Sequence, residues 1–224
     1  MGLVLLVRHG QASFGADDYD VLSETGIEQS RVLGRFLADA GLDPGCLMHG
    51  AMRRQRETAT AMAEAAGWTV VPMLDEGWNE FDHLGVIARG GGLDVPDRRV
   101  EGPVTTPDRR AFQRIFEDAT ARWTAGGHDD EYDETWSAFV GRVRAALDRA
   151  CERDGVTVVS SSGGPIAAAC AALVDPSAPA DELPRLWGAF NTVTANASVT
   201  RVVQGSTGRR LLTFNEHGHL PREL

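Results

Sequence analysis

The chain has 224 residues, 42% hydrophobic and 24% charged, with 22 basic against 32 acidic residues and a formal net charge of −10. That length suits a single globular domain with a substantial core. The acidic balance argues against nonspecific binding to nucleic acid or to an anionic membrane, while a local basic pocket could still hold a small anion. The N-terminal apolar run is too short to span a bilayer and meets Arg8 without a small-residue cleavage pattern, so the expectation is a cytoplasmic protein with no membrane partner. The widely spaced Cys46, Cys151 and Cys170 include no CxxC pair and read as buried thiols in a reducing compartment.

In chain order, aliphatic residues at 3–7 predict a first strand, ended by Arg8, His9 and Gly10. Ser23 is an N-cap candidate for a helix that should bury Leu33, Phe36, Leu37 and Ala40 and stop at Gly41. Residues 46–49 form a weaker strand candidate, residues 54–66 a second helix, and residues 69–71 another strand. The alternation then breaks: residues 84–106 carry Gly90, Gly91, Gly92, Pro96 and Pro103 among charges and read as a long loop, with a helix over 108–124 completing the insertion. Residues 84–127 are therefore expected to form a lid over a substrate. Over 133–153, Trp136, Phe139, Val140, Val143, Leu147 and Ala150 recur on one helical face. Strands are expected at 156–159, 199–203 and 211–214. Alternating strands and helices predict an α/β fold, a three-layer sandwich whose mostly parallel central sheet has helices on both faces, all in one domain.

In such sheets the site lies beyond the carboxyl ends of the strands, where Arg8, His9 and Gly10 fall. A lone strand-end histidine is more often structural than catalytic, but three other segments bear on it. In RRQRETA, Arg54 starts a helix, where its guanidinium could grip a phosphate bidentately with Arg8 as a second fork; Arg53 and Arg56 read as solvated. In VTVVSSSGGPIAAA a buried strand enters a helix through serines and glycines, so Ser162 and Gly163 lie at a helix start suited to an anion. In MLDEGWNEFDH, Glu80 is the candidate general acid and Glu76 the second choice.

These residues together resemble the histidine phosphatase superfamily, the phosphoglycerate mutase-like branch named for its RHG motif. RHGQ at 8–11, RQRETA at 54–59, WNEFD at 78–82, NASVTRV at 196–202 and HL at 219–220 carry the resemblance over nearly the whole chain. It implies attack on phosphorus by His9, protonation of the leaving oxygen by Glu80, hydrolysis of a phosphohistidine, and charge neutralisation by Arg8 and Arg54. No metal or cofactor is implied, and the partner is a small phosphorylated substrate. The family usually has a second histidine at the position of Ser162. A serine hydroxyl can donate one hydrogen bond there but carries no charge, and His83, beside the proposed acid, is a candidate to supply it.

Other readings are a binding protein that keeps the pocket without turnover, a phosphoglycerate mutase, and a serine hydrolase. The hydrolase reading takes SSSGG as a nucleophile elbow on Ser162, but it lacks the first glycine and needs His217 or His219 as base. RHGQASF in place of the mutase-like RHGES favours a phosphatase over a mutase.

Overall fold

The structure, a computed structural model, describes residues 2–13, 20–90 and 109–221, and for 109–112 the backbone alone. Six strands, β1 (Gly2–Arg8), β2 (Cys46–His49), β3 (Met73–Leu74), β4 (Val156–Ser161), β5 (Val199–Gly205) and β6 (Gly208–Glu216), form one sheet in the order β3-β2-β4-β1-β5-β6. β1, β2, β3 and β4 are mutually parallel, whereas β5 runs antiparallel to β1 and β6 antiparallel to β5. Among the described residues there are seven α-helices: α1 (Glu24–Asp39), α2 (Arg53–Ala66), α3 (His83–Arg89), α4 (Arg109–Thr124), α5 (Trp136–Cys151), α6 (Gly163–Val174) and α7 (Pro184–Val193). None of the helices searched is long and apolar enough to cross a membrane.

The continuous apolar run of β1 follows from its place at the centre of the sheet. Val4 and Leu6 enter one core with residues of α5 and α6, and Leu5 and Val7 enter a second core with residues of α1 and α2. A strand covered on both faces has no side to leave polar. The expected α/β sandwich is therefore what the chain forms.

Local signals account for several elements. Ser23 caps α1, its hydroxyl accepting the Gly26 N–H at 3.0 Å. Thr135 caps α5 in the same way through the Ala138 N–H, so that helix starts at Trp136, and all six residues of its expected apolar face are buried.

Three expectations change. The buried face of α1 runs through Gly26, Gln29, Ser30, Leu33, Gly34 and Leu37, while Phe36 and Ala40 are exposed; Phe36 stacks on the ring of His219 at 5.1 Å. Close packing of α1 on α2 selects the small-residue face, and a Cβ on Gly34 would lie 2.2 Å from the Met62 carbonyl oxygen. Residues 69–71 form no strand. The edge strand begins after Pro72, at Met73, because only there does the backbone meet β2, and Val71 is left 81% exposed. The start of the expected loop is helical: Asp82 caps α3 through the Gly85 N–H at 3.0 Å, and Val86 and Ile87 are buried. Residues 91–108 of the expected lid lie outside the described residues.

α4 belongs to the main core. Trp123 is 1% exposed, with ring centroids 4.8 Å from Phe81, 5.3 Å from Trp136, 5.5 Å from Phe139 and 6.2 Å from Trp187. Trp123→Ala should cost about 3–5 kcal/mol of unfolding free energy, read from urea denaturation; a loss below about 1 kcal/mol would show that α4 contributes little to the core.

Candidate active site

β1 and β4 are neighbours, with Arg8 opposite Ser161, and the His9 N–H extends the ladder by donating to the Ser161 carbonyl at 2.8 Å. The chain leaves β1 toward the face covered by α1 and leaves β4 toward the face covered by α6. The crevice between these two exits holds a cavity of about 220 Å³.

His9 is 6% exposed and its ring is held from both ends. Nδ1 lies 2.7 Å from the Gly10 carbonyl oxygen, so it must carry the proton and donate, which leaves a lone pair on Nε2. The Arg54 Nε–H donates to that Nε2 at 3.2 Å. Burial, then the charges of Arg8 and Arg54, hold the imidazole well below its ordinary value, against a smaller upward pull from Gly10. The ring is thus held neutral at neutral pH, with its unprotonated Nε2 toward Arg54.

The two arginines are tethered at their far sides. Arg8 donates through Nη1 to the Thr194 carbonyl. Arg54, 5% exposed in the first turn of α2, donates through Nη1 to Asp20 at 2.7 Å, and Asp20 also accepts the Arg53 N–H at 2.8 Å. The Arg54/Thr58 spacing has a local cause: the Thr58 hydroxyl donates to the Arg54 carbonyl at 2.8 Å and accepts the Gly10 N–H at 3.0 Å, tying α2 to the loop after β1. That loop must be glycine at position 10, where a Cβ would lie 2.3 Å from the Gly26 carbonyl oxygen.

Glu80 faces the same cavity. Its carboxylate accepts the Gly164 N–H at 3.1 Å and the Phe81 N–H at 3.2 Å. Burial pushes its pKa above the ordinary carboxylate value, an effect only partly offset by Gly164, Arg54, Phe81 and Arg8. A Cβ on Gly164 would lie 2.1 Å from Glu80 Oε1, so the second glycine of the pair is what admits the acid to the start of α6. Glu76 is exposed in a separate 3₁₀ turn and borders a different cleft, beside Met73 and Arg149.

The structure thus brings Arg8, His9, Arg54, Glu80 and Gly163 to one cavity. It sets Ser162 apart. Ser162 is fully buried behind the lining, and its hydroxyl accepts the Gln55 amide N–H at 2.9 Å; the same amide nitrogen also donates to the Trp78 carbonyl. Sequence reasoning missed Asp20, Gln55, Asn191 and Phe116. Asn191, on α7, lies near the start of α6, where a Cβ on Gly163 would be 2.9 Å from its Oδ1, and Phe116 comes from α4. Neither carries a local signal, because each reaches the site from a distant element. The ring of His217 contacts the Asn215 carbonyl and that of His219 the Ala197 carbonyl, and among the described residues no hydrogen bond links either ring to the Ser162 hydroxyl. Among the described residues searched, no cluster of three or more His, Cys, Asp or Glu could hold a metal ion.

Because the space around Ser162 is filled, Ser162→His should destabilise the fold by about 1–3 kcal/mol through overpacking against Gln55. Thermal or urea unfolding reads this directly, and an unchanged midpoint would mean the pocket can admit an imidazole there.

Comparison with solved structures returns the same architecture at low identity. A phosphoglycerate mutase from Bacillus anthracis superposes with a TM-score of 0.66 at 17% identity, covering 97% of this chain and 94% of that one. A mutant phosphoserine phosphatase from Entamoeba histolytica bound to phosphoserine gives 0.66 at 18% identity, over 99% and 100%. The mycobacterial glucosyl-3-phosphoglycerate phosphatase in complex with VO3 gives 0.63 at 20% identity, over 96% and 99%. Comparison with curated proteins returned no match. The sequence profile of the histidine phosphatase superfamily (branch 1) matches residues 4–87 and 100–217, nearly the whole chain, and the protein belongs to that superfamily.

Proposed function

We propose that the protein is a metal-independent phosphatase that hydrolyses a phosphate monoester through a phosphohistidine on His9. Family membership and the phosphatase and mutase neighbours support phosphoryl transfer of the phosphatase type in general. The observation that carries the finer reading is the pair of opposed protonation states in one cavity: His9 is held neutral with Nε2 bearing the lone pair, while Glu80 is pushed toward its protonated form.

In the first step His9 Nε2 attacks phosphorus, the bond to the ester oxygen breaks, and Glu80 gives that oxygen its proton. Arg54 exchanges its contact with Nε2 for the phosphoryl oxygens as the substrate enters, and Arg8 offers a second guanidinium. In the second step Glu80, now a carboxylate, takes a proton from water as the water attacks phosphorus; phosphate leaves and His9 regains its lone pair. Positioning and charge neutralisation do most of the work, as is general for phosphoryl transfer.

Hydrolysis of p-nitrophenyl phosphate in the presence of a chelator should be measurable for the native protein and lost in a folded His9→Ala variant. Activity retained without His9 would overturn the mechanism. Glu80→Gln should release a burst of p-nitrophenol close to one per enzyme and then stall, because that leaving group needs little acid assistance while the second step has lost its base. With an alkyl phosphate, which needs the acid, kcat/KM of the native protein should fall on the alkaline side as Glu80 ionises. The fall should be centred above the ordinary glutamate value of 4.5. On the acid side it should fall as His9 protonates, below the ordinary 6.5.

The engagement of Ser162 by Gln55, outside the cavity lining, favours one second reading: a protein that binds phosphate esters without turning them over. Native protein that binds phosphate yet hydrolyses no ester would select it.

A further inference from the structure

The cavity holds two imidazoles, and the mechanism above uses one. His83 lines the same space as Arg8, His9, Arg54 and Glu80. Among the described residues neither of its ring nitrogens has a hydrogen-bond partner, whereas the rings of His9, His49, His128, His217 and His219 each have at least one. The other polar groups near the start of α6 are partly committed: Ser162 to Gln55, Arg8 to Thr194, Arg54 to Asp20, and the Gly164 N–H to Glu80.

The backbone that carries His83 is clamped on both sides. On one side Phe81 is 3% exposed, its ring packed against Trp123 at 4.8 Å, Phe139 at 5.7 Å and Trp187 at 5.8 Å. On the other side Asp82 caps α3 and Val86 and Ile87 anchor it in the core. The His83 N–H itself donates to the Phe81 carbonyl at 2.8 Å, closing the turn between these two anchors. The backbone at His83 therefore pays little ordering entropy on meeting a ligand, which leaves only the side-chain rotamer to be fixed.

A partly buried histidine at a helix start is most often a solvated surface residue. Here the ring instead borders a cavity lined by two guanidiniums. We propose that His83 is a phosphate-contacting catalytic residue, its imidazole N–H donating a hydrogen bond to an oxygen of the transferring phosphoryl group. The assignment rests on the phosphatase reading above. It fits the occupied environment of Ser162, which leaves the cavity lining without a hydroxyl from that position. Burial and the Arg54 charge lower the His83 pKa, with Asp82 opposing, which favours the neutral form of the ring, and a neutral imidazole still has one N–H to donate.

The test uses the full chain as native protein, His83→Ala and His83→Gln, each checked for a native thermal melt. Two quantities are measured: the affinity for inorganic phosphate by calorimetry, and kcat/KM for p-nitrophenyl phosphate. Loss of one hydrogen bond to a charged group predicts a drop of about ten- to a hundredfold in kcat/KM for His83→Ala, with weaker phosphate binding. The amide of His83→Gln should retain part of both, and free imidazole should restore part of the His83→Ala rate. Native values of kcat/KM and phosphate affinity in His83→Ala overturn the assignment and leave the phosphatase reading intact. Equal losses in both variants with no rescue by imidazole also overturn it, by tracing the effect to the start of α3. Native protein that neither binds nor hydrolyses phosphate compounds overturns the phosphatase reading, and the assignment with it.

Discussion

Everything at the site depends on the parallel register of β1 with β4. With Leu3 opposite Val156, the pairing runs without a break to Arg8 opposite Ser161, so the two strands end level with each other. One residue later the chains part to opposite faces of the sheet, and the gap they leave brings His9 and the start of α6 to one cavity. A slip of one residue would turn Val4 and Leu6 to the face now held by Leu5 and Val7 and would remove His9 from the crevice. The buried β1 side chains thus hold the register of the candidate site as well as the core.

Given that register, one physical cause sets both reactive groups. Enclosure penalises whichever form is charged, so it lowers the imidazole of His9 and raises the carboxyl of Glu80. The arginines act asymmetrically on the two. Their charges add to the fall at His9 and subtract from the rise at Glu80, which favours the neutral imidazole and leaves the carboxyl able to release its proton. Asp20 and the Thr194 carbonyl hold the guanidiniums from behind, so the charges are aimed before a substrate arrives.

Glu80 is positioned by packing. Phe81, next to Glu80, is locked in an aromatic cluster built from α4, α5 and α7. The same ring anchors the turn that carries His83. Stability and chemistry are therefore coupled through Phe81 and Trp123: loosening α4 should disturb the site even though Trp123 does not border the cavity.

How much of this is legible in the sequence depends on the range of the interaction. Short-range rules sufficed for the strand of β1, the cap at Ser23, the apolar face of α5 and the α/β alternation, because each is settled by periodicity or by a side chain bonding its own neighbourhood. The motif around Arg8, His9 and Gly10 and the spacing of Arg54 and Thr58 were readable for the same reason. Phe36 and residues 69–71 were misread because burial there is chosen by what packs opposite: the small-residue face of α1 against α2, and the reach of β2 at the sheet edge. The separation of Glu80 from Glu76, the tether of Asp20 on Arg54, the approach of Asn191 and Phe116, and the withdrawal of Ser162 behind Gln55 were decided only by tertiary structure. Each joins residues tens of positions apart, and no local pattern records such a contact. By itself the sequence determined which chemical groups stand at the strand ends. Folding decided which of them share a cavity and what charge each carries there, because both depend on enclosure by distant parts of the chain.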